Sequence, residues 1–166
     1  MKISVITPFY EGADYMHSYV QCMEANQKHL QQQGDELEVI LVNDSPWKKL
    51  EAEESSSQYI RVIANPKNQG IHYSRVAGLD KSTGDYIMFL DQDDLLKDDA
   101  LAKLAKGLKQ SECDLIIANA DLEQADGSFL NWYRTEEHLK LVWDKPTYLN
   151  VGIQRCIRIW FLGVAS

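Results

Sequence analysis

The chain has 166 residues, 45% of them hydrophobic and 25% charged, the balance of one soluble globular domain rather than a disordered segment. With 17 basic against 25 acidic side chains the formal charge is -8, which argues against a nucleic-acid binder, since such proteins carry a basic footprint. A phosphorylated small molecule stays compatible with that charge, because one bound cation or one local Arg reverses the field.

The cysteines Cys22, Cys113 and Cys156 form no CxxC pair, so they suggest neither a zinc site nor a disulfide framework and read as reduced thiols. No apolar run is long enough to span a bilayer. Ile3–Ile6 before Pro8 is too short for the core of a signal peptide. The expectation is a cytoplasmic protein, with any membrane association peripheral at the inner face.

In chain order, Ile3-Ser4-Val5-Ile6 is β-branched and bounded by Pro8, the pattern of a buried first strand. Tyr15, Tyr19, Cys22, Met23 and Leu30 then recur at helical spacing, and that helix ends in a Gln run and Gly34. Leu37–Val42 reads as a second strand closing on Asn43-Asp44-Ser45-Pro46. Polar, Ser-rich residues 47–58 suggest a short helix and loop. Tyr59–Ala64 is a third strand stopped by Asn65-Pro66, Tyr73–Leu79 a helix, and Tyr86–Leu90 a very apolar fourth strand. Leu101, Leu104, Ala105 and Leu108 mark an amphipathic helix with Asp98 and Asp99 at its start, where acids favour the helix dipole. Leu115–Ala118 is read as a fifth strand.

Nearly continuous apolar strands alternating with helices predict an α/β fold, a mainly parallel central sheet flanked by helices on both faces. Ligands of such sheets bind outside the carboxyl ends of the strands. Strand one ends in Thr7-Pro8-Phe9-Tyr10, strand two in Asn43-Asp44, and strand four in Asp91-Gln92-Asp93-Asp94, so polar and acidic groups gather on one edge.

Three carboxylates within four residues after a buried strand repel one another unless something positive joins them. A hard divalent cation, Mg²⁺ or Mn²⁺, takes oxygen ligands and bridges to phosphate; capping of a loop or of the next helix is the bland alternative, and fits Asp98 and Asp99. Asp44 could accept a hydrogen bond from a base or ribose, although Asn-Asp-Ser-Pro is also good turn chemistry. Arg75 could pair bidentately with a diphosphate or be a surface or Asp-paired Arg. The histidines His17, His29, His72 and His138 have no metal-ligand spacing, and no nucleophile elbow or Gly-rich phosphate loop occurs.

Three segments are similar to the motifs of one family. Residues 3–16 (ISVITPFYEGADYM) resemble the opening strand and helix of the family 2 glycosyltransferases, inverting enzymes of the GT-A fold. Residues 39–46 (VILVNDSP) resemble their second-strand motif, here without its usual Gly, and residues 65–94 resemble their central block. That block runs from Asn-x-Gly through a helical Arg to the Asp-x-Asp motif. The resemblance covers about residues 2 to 120. It implies that Pro8 and Tyr10 shape the floor of a nucleotide pocket, that Asp44 binds the uracil of a UDP-sugar, and that Arg75 contacts the nucleotide. It also implies Asp91 near the ribose and Asp93 as ligand of Mn²⁺ or Mg²⁺ on the diphosphate.

The expected domain is residues 1–150, with 151–166 left unassigned as matching no family motif. The implied reaction moves a sugar from a UDP-sugar donor to a saccharide or lipid-linked saccharide acceptor. Family members place their catalytic base well after the Asp-x-Asp motif; Asp121, Glu123 and Asp126 are the acids considered, and none is assigned. A nucleotide-sugar-binding module lacking the base is the alternative. A nucleotidyltransferase ranks lower, because Glu11-Gly12-Ala13-Asp14 is not a basic Gly-rich loop. Trp143, Tyr148, Trp160 and Phe161 are candidates for a homodimer interface.

Overall fold

The computed structural model describes residues 1–50, 58–111, 116, 118, 120–124 and 126–132. Four parallel strands form the central sheet: β1 (Lys2–Phe9), β2 (Glu36–Asn43), β3 (Ile60–Ala64) and β4 (Tyr86–Phe89), in the order β3-β2-β1-β4. The register pairs Val5 with Val39 and with Met88, and Val39 with Ile60. Crossovers run through α1 (Met16–Gln32, preceded by a 3-10 turn at Ala13–Tyr15) and α2 (Ile71–Leu79), while α3 (Ala100–Ser111) follows β4. A separate antiparallel pair, β5 (Ala120–Glu123) and β6 (Phe129–Trp132), comes last.

The two faces of the sheet follow from the strand period of two. Ile3, Val5, Phe9, Leu37, Val39 and Leu41 share a core with Tyr19, Met23 and Leu30 of α1 and with Leu101 and Ala105 of α3. The alternate residues Ile6, Ile40 and Val42 pack with Ala77 of α2 on the other face. There Gly78 lets the helix come close: a Cβ at that position would lie 2.3 Å from Ile6 Cγ2.

Local chemistry explains the ends of these elements. Gly34 adopts a φ of 72° after α1, and the amides of Gly34 and Asp35 donate to Gln31 and Leu30 carbonyls. This paired closure with a left-handed glycine is a Schellman cap. Buried Asp35 then accepts hydrogen bonds from Lys109 Nζ of α3 and from the Met1 amino group. At the amino edge of the sheet Glu38 accepts from Ser4 Oγ, Thr83 N and Thr83 Oγ1, and Ser4 Oγ in turn accepts from Gly84 N.

The predicted α/β architecture holds, as do the four parallel strands, with boundaries shifted by one residue except in β1, which does not stop before Pro8 but runs through it to Phe9, three residues beyond Ile6, with Pro8 in register with Val42. The fifth strand lies elsewhere. Leu115 and Ile117 fall outside the described residues, Ile116 and Ala118 carry no strand pairing, and β5 starts at Ala120. Ala120 to Glu123 alternate in polarity but over only four residues, two of them the poor strand formers Asp and Glu, so propensity favoured the preceding apolar run, whereas β5 is defined by its pairing with β6. Cys22 is free and buried. Cys113, Cys156, the segment 151–166 and the four candidate interface aromatics lie outside the described residues. Among the described residues no helix is long and apolar enough to cross a membrane.

Candidate functional site: a cleft at the carboxyl edge of the sheet

Parallel pairing puts the carboxyl ends of β1, β2 and β4 side by side. An open cleft of about 370 Å³ lies over them, lined by Pro8, Tyr10, Asp44, Asn68, Gly70, Ile71, Asp91, Gln92 and Asp93. Five of the six residues singled out in the sequence thus meet on one wall. Arg75 is not among the lining residues.

Pro8 is held low by β1, which is buried from Ile3 to Phe9. Below the cleft, Thr7 and Tyr19 share a 2.6 Å hydrogen bond, and burial pushes the Tyr19 hydroxyl above its usual range, so it stays protonated. Tyr10 emerges from the sheet half-exposed. Its backbone is gripped by the Gln92 side chain: Tyr10 N–H donates to Gln92 Oε1 at 2.9 Å, and Gln92 Nε2 donates to Tyr10 O at 3.2 Å. Glu11, next along, takes a left-handed φ of 50° and donates its N–H to Ser45 Oγ. The loops after β1, β2 and β4 are therefore stitched to one another.

Asp44 is buried, and its carboxylate organises the loop before α2. Oδ1 accepts from Asn65 Nδ2 at 2.7 Å and from Gln69 N at 2.8 Å, while Oδ2 accepts from Gly70 N at 2.8 Å. Gly70 holds φ 82° and ψ 165°, a backbone region essentially reserved for glycine. A carboxylate offers about four acceptor directions, so with three donors in place one remains for a ligand. The turn reading and the binding reading of Asp44 are both compatible with this geometry. The turn itself is tight, because Asn43 Oδ1 accepts from Ser45 N and Asn43 Nδ2 donates to Lys48 O.

On the β4 side Asp91 accepts a 2.6 Å charge-assisted hydrogen bond from Arg75 Nη2, whose guanidinium also sits 5.8 Å from the Phe89 ring centroid. Arg75 thus reaches Asp91 from α2 and neutralises one member of the acidic cluster. Burial, and then the charges of Asp91 and Asp93, push the Asp94 carboxyl up to about 6. Crowded carboxylates of this kind fit a hard cation. Among the described residues no group of three or more His, Cys, Asp or Glu side chains could hold a metal ion by itself.

Behind the acidic motif, α1 anchors the loop that follows it. Asn26 Nδ2 donates to Lys97 O, Asn26 Oδ1 accepts from Leu101 N, and Cys22 Sγ accepts from Leu96 N. Sequence reasoning missed Asn26, Asn65 and Gln92. Besides local bonds from Asn26 to Cys22 O and from Asn65 to Ser74 Oγ, they have partners 21 to 82 residues away, and no local pattern signals those longer bonds. Of the acids considered for a base, Asp121 ion-pairs with Lys97 at 3.7 Å, and Asp126 accepts from Ser128 in the turn between β5 and β6. Neither these nor Glu123 line the cleft.

A model of glycosyl transferase family 2 matches residues 4–162. The chain belongs to this family. It is 26% identical over 132 residues to glycosyltransferase GlyG of Streptococcus pneumoniae, covering 76% of this chain and 42% of that one. It is 30% identical over 126 residues to TarP of Staphylococcus aureus, a poly(ribitol-phosphate) beta-N-acetylglucosaminyltransferase, covering 74% and 37%. Its fold resembles S. aureus TarS 1-349 in complex with UDP, with a TM-score of 0.60, 22% identity, and coverage of 72% of this chain and 36% of that one. The family 2 chain described here spans about half the length, or less, of such curated relatives.

Proposed function

We propose that this family 2 domain binds a UDP-sugar in the cleft and serves a metal-assisted transfer, with inversion, of the sugar to a hydroxyl of a glycan or lipid-linked saccharide. The observation that carries the reading is the convergence of Pro8, Tyr10, Asp44, Asp91 and Asp93 on one cleft at the carboxyl edge of the parallel sheet. The UDP complex of the structural neighbour TarS and the polymer acceptor named for TarP support the donor and acceptor classes.

In this reading Pro8 and Tyr10 form the floor under the base, and Asp44 uses its remaining acceptor direction on a base N–H. Asp91, steadied by Arg75, faces the ribose. Asp93 would hold Mn²⁺ or Mg²⁺, which when bound neutralises the diphosphate leaving group. Arg75 adds a second positive centre on the same side. The acids on the cleft wall are thereby occupied, and the base that takes the acceptor proton is assigned to no described residue. Its contribution is about 10²- to 10⁴-fold in rate. The same reading suits a protein acting in the cytoplasm, peripheral at the inner membrane face.

The test is calorimetric titration with UDP, with and without Mn²⁺, on the wild type and Asp93→Ala. Metal-dependent binding, lost in Asp93→Ala and weaker for GDP and ADP, is expected. A folded wild type that binds no UDP in either metal state sinks the donor-site reading.

A further inference from the structure

Tyr10 is held at two points that the proposed chemistry does not require. From one side the Gln92 amide closes a donor–acceptor pair on the Tyr10 backbone. Gly12 leaves that amide its place, since a Cβ there would stand 2.3 Å from Gln92 Oε1. From the other side the Trp47 indole meets the Tyr10 ring edge to face, with centroids 6.1 Å apart at 83°. Trp47 itself is 57% exposed, yet its turn is fastened by Lys48 N donating to Ser45 O and by Asn43 donating to Lys48 O. A large apolar ring held rigidly in water on a pinned turn does not serve the core. Its described ring contact is Tyr10, which lines the cleft.

We infer that Gln92 and Trp47 are positioning residues that clamp Tyr10 as a pre-set wall for the nucleobase, so that base affinity depends on residues that need not touch the base. The inference rests on the UDP-sugar reading above. An exposed tyrosine otherwise samples several rotamers, and a stacking partner must freeze it on binding. Fixing the ring beforehand removes that cost. Gln92 fixes where the ring starts and Trp47 fixes where it points. Gln92 also occupies the middle of Asp91-Gln92-Asp93, so the clamp ties the base wall to the carboxylates assigned above to the ribose and to the metal on the diphosphate.

The experiment is a set of double-mutant cycles read by calorimetry with UDP and saturating Mn²⁺ on the full chain. Gln92→Met, Trp47→Leu and Gly12→Ala are each measured alone and combined with Tyr10→Ala, with circular dichroism as the check on folding. Each single variant is expected to weaken UDP about 3- to 10-fold, and none to weaken it further once Tyr10 is Ala. Trp47→Leu lies on the surface, so it tests the clamp even if Gln92→Met fails to fold. Affinities equal to the wild type, or losses that multiply with that of Tyr10→Ala, overturn the clamp while leaving the donor site intact. A wild type that binds no UDP overturns both.

Discussion

Asp44→Asn separates what the carboxylate does for the fold from what it does for a ligand. In the wild type its two oxygens take three donors, from Asn65, Gln69 and Gly70. An Asn can present one oxygen to Asn65 and Gln69, but its NH₂ then faces the Gly70 N–H, donor against donor. Gly70 is exposed, and its N–H can turn to water at little cost. Gln69 is half-buried and Asn65 buried, so any misalignment there leaves a donor short of its acceptor, worth about 1–3 kcal/mol. The expected destabilisation is therefore about 2 kcal/mol, and with a urea slope near 2 kcal/mol/M the midpoint falls by about 1 M. Asp44→Ala, which removes the acceptor from Asn65 and Gln69 and leaves Gly70 N only its 3.1 Å bond to Asn68 Oδ1, should fall further. The assay is urea unfolding followed by far-UV circular dichroism. An Asp44→Asn midpoint within about 0.2 M of the wild type would refute the account of Asp44 as organiser of the loop before α2.

Asp35 supplies a pH signature. Burial raises its carboxyl, but hydrogen bonds from Lys109 and the Met1 amino group outweigh this and hold it below the usual aspartate range. Its stabilisation is thus complete above the ordinary value near 3.8 and lost as pH falls through the lowered one. The stability gap between wild type and Asp35→Asn should be wide at pH 7 and close under acid in urea titrations; a gap independent of pH would contradict it. Gly78→Ala forces a methyl against Ile6 Cγ2 and should cost about 1–3 kcal/mol in thermal melts, and the double variant with Ile6→Ala, which removes that Cγ2, should lose less than the sum of the two single losses. Asn26→Ala orphans Leu101 N and takes one of two donors from Lys97 O, which keeps Ala100 N, and should destabilise by about 1–3 kcal/mol, with faster hydrogen exchange at the Leu101 amide. Unchanged exchange there would remove Asn26 as the anchor of the loop after the acidic motif.

The sheet was legible because its strands are apolar on both faces and end in turn residues; β1 and β2 could hardly be read otherwise. The site acids were legible for a related reason, since Asp44, Asp91 and Asp93 follow buried runs that fix which edge they reach. What holds those acids was not legible. Gln92 looks like filler between two aspartates until Tyr10 is seen to bond it from 82 residues away. Arg75 was read as a nucleotide contact or as a surface or Asp-paired Arg, and which Asp it pairs with depends on α2 crossing back over the sheet. The strand misplaced at Leu115–Ala118 shows the same limit: a hairpin is chosen by its partner strand, and β6 begins only at Phe129.

The Glu38 network sits at the opposite rim of the sheet from the cleft, joining Ser4, Thr83 and Gly84 before β4 begins. Its separation from Asp44 and Asp93 frees it from any compromise with turnover. A laboratory lineage selected for heat resistance could accumulate changes around Lys2, Glu38 and Arg61 and still handle the same substrates. Selection for a new donor would have to rewrite the other rim.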